Sequence, residues 1–137
     1  MNAKPVILES PYSGLVPLNI AYLRACLRDS VLRGESPYAS HALLTQPGVL
    51  RDEVLAEREA GIAAGFVWRP FAKLTAFYED LGWSSGMNRA FADCEDRNLP
   101  YERRTLGDGW LGAHIERELA GVSADHWRRS ITPEWLP

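Results

Sequence analysis

The feature that most constrains this chain is a switch in hydrophobic period, repeated along its length. Short β-favouring runs that stop at turn formers give way to segments whose apolar residues recur every three or four positions, and these lead into another short run. The first run, Pro5-Val6-Ile7-Leu8-Glu9, stops at Ser10-Pro11-Tyr12-Ser13-Gly14. Leu18 to Arg33 places Ile20, Leu23, Leu27 and Val31 on one helical face, and Gly34 suits the left-handed position after a helix end. Pro37 to Leu44 predicts a second strand with His41 near its end, followed by a turn at Thr45-Gln46-Pro47-Gly48. Arg51 to Ala64 predicts a second helix with Leu55, Arg58 and Ile62 turned inward and Gly65 near its end. Lys73 to Tyr78 predicts a third strand, stopping at Glu79-Asp80-Leu81-Gly82. Ser84 or Ser85 is a natural N-cap for a helix with Met87, Ala90, Phe91 and Cys94 on one face, and Tyr101 to Arg104 predicts a fourth strand.

Strands alternating with helices at this spacing imply parallel pairing through right-handed crossovers, with helices on both faces of the sheet. The predicted fold class is α/β: a small doubly wound, flavodoxin- or Rossmann-like parallel sheet of at least four strands in the order 2-1-3-4. Its strands are expected near residues 5–9, 37–43, 73–78 and 101–104. Residues 1–105 make up this domain. Residues 106–137 read as a helical C-terminal extension, with a helix over Ala113 to Leu119 and a short turn capped within Ser123-Ala124-Asp125. The extension carries Trp110, Trp127 and Trp135, too much aromatic surface to leave in water. Trp110 and at least one of the other two are therefore expected to be buried, against the domain or against a second copy, and a homo-oligomer stays open.

Bulk properties remove several function classes. The 137 residues suffice for one core, and a net charge of −3 lacks the generic attraction to phosphate backbones that a duplex nucleic-acid partner requires. Cys26 and Cys94, the two cysteines, lie inside apolar helical patterns and read as buried thiols of a reducing compartment. His41, His114 and His126 stand apart from one another and from any closely spaced ligand set, so no metal and no cofactor is expected. Met1 to Leu8 lacks the charged start and long apolar run of a signal peptide, and no apolar run approaches a membrane span, so the expected location is the cytoplasm, away from membrane.

In open parallel sheets ligands sit outside the carboxyl ends of the strands, where neighbouring crossovers leave in opposite directions. Three loops meet that description. The first carries Ser10, Tyr12 and Ser13, with Asn19 at the following helix start; the second carries Ser40, His41 and Gln46; the third carries Asp80, Ser84, Ser85 and Gly86. Gly82-Trp83-Ser84-Ser85-Gly86 offers small residues and free N–H groups at a helix N-terminus, which serves either an anion such as phosphate or a plain helix cap. Asp80 is suited to accepting hydrogen bonds from sugar hydroxyls. His41 is either a general acid or base or a structural hydrogen-bonding group. Tyr12 either stacks on a flat ring or covers the sheet end. Arg58, on the inward side of its helix, needs Glu57, Asp80 or a ligand as partner. Glu9, near the first strand end, either enters the pocket or is a solvated end residue.

The order of these segments resembles a family. Ile7-Leu8-Glu9-Ser10-Pro11-Tyr12, Asn19, Ala39-Ser40-His41, Thr45-Gln46-Pro47-Gly48-Val49-Leu50, Glu57-Arg58, Asp80-Leu81-Gly82 and Ser85-Gly86-Met87 together are similar to small bacterial and phage domains of the nucleoside 2-deoxyribosyltransferase-like superfamily, over about residues 5 to 105. The resemblance implies a nucleoside-like ligand in the strand-end pocket. It also implies a nucleophilic Glu in the helix after the small-residue loop, but Ala90 occupies that place and no carboxylate lies between Ser84 and Ala92. Two functions are expected from this pattern. The first is binding of a nucleotide or nucleotide-derived molecule without turnover, with Ser84, Ser85 and Gly86 for phosphate, Tyr12 for the base and Asp80 for the sugar, and with Asn19, Ser40, Gln46, Arg58 and Met87 completing the pocket. The second is an N-glycosidase or deoxyribosyltransferase in which Asp80 or His41 supplies the acid-base step. A third class, a protein-interaction module, would act through the Trp-bearing extension.

Overall fold

A computed structural model describes residues 3–120. The chain divides into two compact units, Met1–Gly107 and Asp108–Pro137. The first is a four-stranded, all-parallel sheet of β1 (Lys4–Glu9), β2 (Glu35–Tyr38), β3 (Leu74–Tyr78) and β4 (Tyr101–Arg104) in the order β2-β1-β3-β4. The helices of this unit are α1 (Val16–Leu32), the single turn α2 (Ser40–Leu43), α3 (Leu55–Trp68) and α4 (Ser85–Asp96). A 3₁₀ turn, Arg69–Phe71, links α3 to β3. The second unit contains α5 (Trp110–Ala120), in which His114 and Glu118 share a hydrogen bond of 2.9 Å. Trp110 is half-buried; Trp127, Trp135 and the turn expected at Ser123 to Asp125 lie outside the described residues.

The sheet is covered on both faces, as a doubly wound fold requires. Because side chains alternate along a strand, consecutive residues of β3 face opposite helices. Phe77 packs with Met87, Ala90 and Cys94 of α4, ringed by Phe66, Trp83, Phe91 and Leu99. Its neighbour Tyr78 turns the other way and donates a 2.7 Å hydrogen bond to Asp29 of α1. On that α1 face the two edge strands are joined by an ion pair: both terminal nitrogens of Arg104 donate to the Glu35 carboxylate at 2.7 Å. Cys26 and Cys94 are both buried and free.

Three expected elements differ. The helix expected over Arg51 to Ala64 runs instead from Leu55 to Trp68, and Leu55, at its first turn, is exposed rather than turned inward. The second strand ends at Tyr38, and the residues around His41 form α2. Ala42 and Leu43 are strong helix formers with no β-branched neighbour, and the strand instead begins directly after Gly34, which holds φ at 86°. In α1 the inward face is Asn19, Tyr22, Leu23, Cys26 and Ser30, while Val31 is exposed. Hydrogen bonds rather than apolarity select that face: Tyr22 bonds Asp80, Asn19 bonds the β1 loop and Ser30 bonds Glu35.

Gly65, expected near the end of its helix, lies inside α3 for a steric reason. A Cβ there would stand 2.4 Å from the Ser40 Oγ and 2.8 Å from its Cβ, so only glycine lets α2 approach α3 this closely. An interior Gly→Ala change ordinarily stabilises a helix by about 1 kcal/mol. Here the clash reverses the sign. Gly65→Ala is expected to destabilise the protein by about 1–2 kcal/mol net, measured by urea unfolding; a stabilised variant would show that α2 does not depend on this contact.

Candidate functional site

The carboxyl ends of β1, β2 and β3 open onto one cavity with about 530 Å³ of open space. The β1 end contributes Glu9, Ser10, Tyr12 and Ser13; α2, after β2, contributes Ser40 and His41; the start of α4, after β3, contributes Ser84, Gly86 and Met87. The remaining wall comes from Asp52 and, on α3, from Arg58, Ile62 and Phe66. A wider outer cleft of about 1150 Å³ shares Tyr12, Ser13, Asp52 and Arg58 with it and adds Gln46 and Arg51. The connection after β1 leads outward to β2 and that after the adjacent β3 leads the opposite way to β4, so the switch point at which such sheets bind ligands lies between β1 and β3.

The α4 end of the cavity combines a helix N-terminus with one cation, Arg58, and one carboxylate, Asp52. Ser84 is the N-cap, its Oγ accepting from the Met87 N–H at 3.2 Å. Arg58 reaches the same helix turn and donates to the Ser85 Oγ at 2.9 Å, with Asp52 3.9 Å from its Nε. Its partners are thus Ser85 and Asp52, and neither Glu57 nor Asp80 is among them. A cation beside a helix N-terminus sums two favourable fields for an anion.

The β1 end is different in character. Ser10 and His41 share a 2.8 Å hydrogen bond through the His41 Nε2, and the His41 Nδ1 is buried with no hydrogen-bond partner among the described residues. Burial disfavours the imidazolium and pushes His41 down to about 4. Beside it Glu9 receives a 3.2 Å hydrogen bond on Oε1 from Arg69, a residue whose side chain is 1% exposed. Burial raises the Glu9 carboxyl above the usual carboxylate range, against the opposing pull of the Arg69 charge.

Of the residues expected from sequence, Tyr12, Ser40, His41, Arg58, Ser84, Gly86 and Met87 line the inner cavity, and Gln46 lines the outer cleft. The Ser85 hydroxyl is engaged with Arg58 and the residue is exposed. Asn19 and Asp80 are not lining residues; each is spent on holding a loop. The Asn19 Nδ2 donates to the Tyr12 and Ser13 carbonyls at 2.8 and 2.9 Å, which shapes the β1 loop. The Asp80 carboxylate accepts from the Tyr22 hydroxyl and from the backbone N–H groups of Leu106 and Gly107. Its lone pairs are turned toward the chain after β4, and a sugar or acid-base role for it has no support in this geometry. Asp52 and Phe66 were not legible as wall residues, because Asp52 looks like any acid ahead of a helix and Phe66 falls on an ordinary apolar helical face.

The chain belongs to the family DUF7768, a domain of unknown function, whose model matches residues 4–104. That span covers all four strands of the sheet and every lining residue of the cavity. No curated protein and no solved structure matches the chain. Among the described residues there is no group of three or more His, Cys, Asp or Glu side chains that could hold a metal ion, and no helix long and apolar enough to cross a membrane.

His41 gives the site a pH signature. Its folded value near 4 lies below the ordinary 6.5, so the unfolded chain takes up the proton first as pH falls. The stability that neutral His41 confers is complete above pH 6.5 and is lost between there and pH 4, by at most about 3 kcal/mol. Urea unfolding of His41→Asn across that window is expected to show a shallower decline than the unsubstituted protein; parallel declines would mean that the imidazole titrates as if in water.

Proposed function

We propose that this cavity binds a nucleotide or nucleotide-derived small molecule and holds it without turnover. The observation that carries the reading is the convergence of three strand-end loops on one cavity with Arg58 at the first turn of α4, combined with an α4 that has no carboxylate at the site. Ala90, at the place where the resemblance to nucleoside 2-deoxyribosyltransferases would put the nucleophile, is fully buried among Phe77, Met87 and Cys94. The first carboxylate of α4 is Asp93, already bonded to Arg69 and Arg97. Met87, Ile62 and Phe66 supply apolar surface for a base, and Tyr12 stands at the mouth between inner cavity and outer cleft.

A second reading, an N-glycosidase, is favoured by one observation. Burial raises the Glu9 carboxyl, and a carboxyl raised in this way is the type of group that hands a proton to a leaving base. The two readings part on the fate of the ligand. A homo-oligomer and an interaction role for the Trp-bearing extension remain further proposals, resting on residues outside those described.

Calorimetric titration with deoxynucleoside monophosphates, cyclic nucleotides and ADP-ribose is the direct test. Arg58→Met is expected to weaken a phosphate-bearing ligand tenfold or more, about 1.4 kcal/mol, while leaving the matching phosphate-free nucleoside unaffected. Equal loss for both would remove phosphate recognition from Arg58. After long incubation the bound nucleotide is expected intact; release of free base would establish the glycosidase reading instead.

A further inference from the structure

Beneath the β1 end of the cavity lies an alternating chain of charge: Glu9, Arg69, Asp93 and Arg97. Arg69 donates from its Nε to Asp93 at 2.9 Å, from its NH1 to the Thr75 Oγ1 at 3.0 Å and from its NH2 to the Glu9 Oε1 at 3.2 Å. Asp93 in turn pairs with Arg97. With Glu9 ionised, two anions balance two cations. With Glu9 neutral, the array keeps an unbalanced positive charge around a guanidinium that is itself 1% exposed. The fixed guanidinium therefore acts on Glu9 in two ways: it favours the carboxylate, and it locks one of the two oxygens.

The other oxygen is the informative one. Glu9 Oε2 makes no hydrogen bond to any described residue, and it does not belong to the buried polar atoms that lack a partner. The Glu9 side chain keeps 13% of its surface, and the residue lines the inner cavity. A carboxylate oxygen held in place by a buried cation and open only toward a cavity is a preorganised acceptor.

We propose that Glu9 is the specificity residue of the pocket: its Oε2 accepts a hydrogen bond from an O–H or N–H donor of the bound ligand, a ribose hydroxyl or an exocyclic base amine, at the end opposite Arg58. This rests on the nucleotide reading of the cavity and adds to it the group that the ligand must carry. Arg69 is the positioning residue. Asp52, the other carboxylate of the inner wall, is 3.9 Å from the Arg58 Nε and belongs to the phosphate end.

The chemistry of Glu9→Gln makes the proposal sharp. The Arg69 guanidinium offers only donors, so a glutamine must turn its carbonyl toward Arg69 and its amide NH₂ toward the cavity. One acceptor facing the ligand becomes a donor with almost no change in shape. Three probes distinguish the sources of the ligand donor: AMP, dAMP, which lacks the 2′-hydroxyl, and purine riboside monophosphate, which lacks the 6-amino group. Titrated into the unsubstituted protein, either dAMP or purine riboside monophosphate is expected to bind at least fivefold more weakly than AMP, identifying the hydroxyl or the amine as the partner. In Glu9→Gln, AMP is expected to lose at least tenfold in affinity, and the gap between AMP and the affected analogue is expected to close, in a variant whose circular-dichroism spectrum at the titration temperature matches that of the unsubstituted protein.

Equal affinity of the unsubstituted protein for all three probes would overturn the assignment without using any variant. So would an unchanged AMP affinity in Glu9→Gln, while the nucleotide reading would stand. Failure of every probe in the earlier titrations and in these to bind the unsubstituted protein would overturn both, and failure of AMP, dAMP and purine riboside monophosphate alone would overturn only the Glu9 assignment, so the two failures are told apart by whether any nucleotide binds.

Discussion

The placement of Arg69 is the interaction on which the rest of the structure depends. Its guanidinium bonds the end of β1 through Glu9, the start of β3 through Thr75 and helix α4 through Asp93, and it lies over the Phe66 ring of α3 at 4.8 Å. A buried cation is tolerated only where its donors are satisfied, and breaking such an array by removing one partner ordinarily costs about 3–5 kcal/mol. Four elements must therefore arrive in register for the charge to be accommodated. Pro70, next in the chain, helps to turn α3 into the 3₁₀ segment that delivers Arg69 beneath the sheet. The apolar cluster around Phe77 supplies the bulk of the packing on this face, and Arg69 determines how its pieces are oriented relative to the cavity above.

Much of the framework was legible because it follows from periodicity. β1, β3 and β4 are short runs between turn formers, and the sheet order 2-1-3-4 is one of the few that right-handed crossovers with helices on both faces allow. Ser84 announced itself as a cap, and Gly34 as the left-handed residue after α1. The segment around His41 reads as strand because Pro37 to Leu44 holds no glycine and no internal proline to break the run, although Ala42, Leu43 and Leu44 are helix formers. The inward face of α1 was misread for a complementary reason: Asn19, Tyr22 and Ser30 face inward because they bond to loops and charges far away in sequence, and no local pattern reveals such partners.

The site was legible to the same depth. The strand-end rule pointed to Tyr12, Ser40, His41, Ser84 and Gly86, and Arg58 and Met87, singled out on other grounds, line the same cavity. It could not say which polar residue of a loop faces the ligand and which holds the loop. Asp80 and Asn19 are chemically apt for a ligand but are consumed by backbone groups, whereas Glu9, an unremarkable residue at a strand end, is left with an open oxygen because Arg69 takes only the other one. That distinction depends on a contact between residues 9 and 69, which composition and spacing do not encode.

The proposed pocket has an anion-favouring end at Arg58 and the start of α4, an acceptor end at Glu9, and apolar walls between. Nuclear magnetic resonance of the ¹⁵N-labelled protein, titrated with the nucleotide that binds most tightly, tests this directly. Amide shifts are predicted to concentrate at Ser10, His41, Arg58, Gly86 and Met87, with those of α1 and β4 unmoved. Shifts confined to other surfaces, or none with any nucleotide at millimolar concentration, would contradict it.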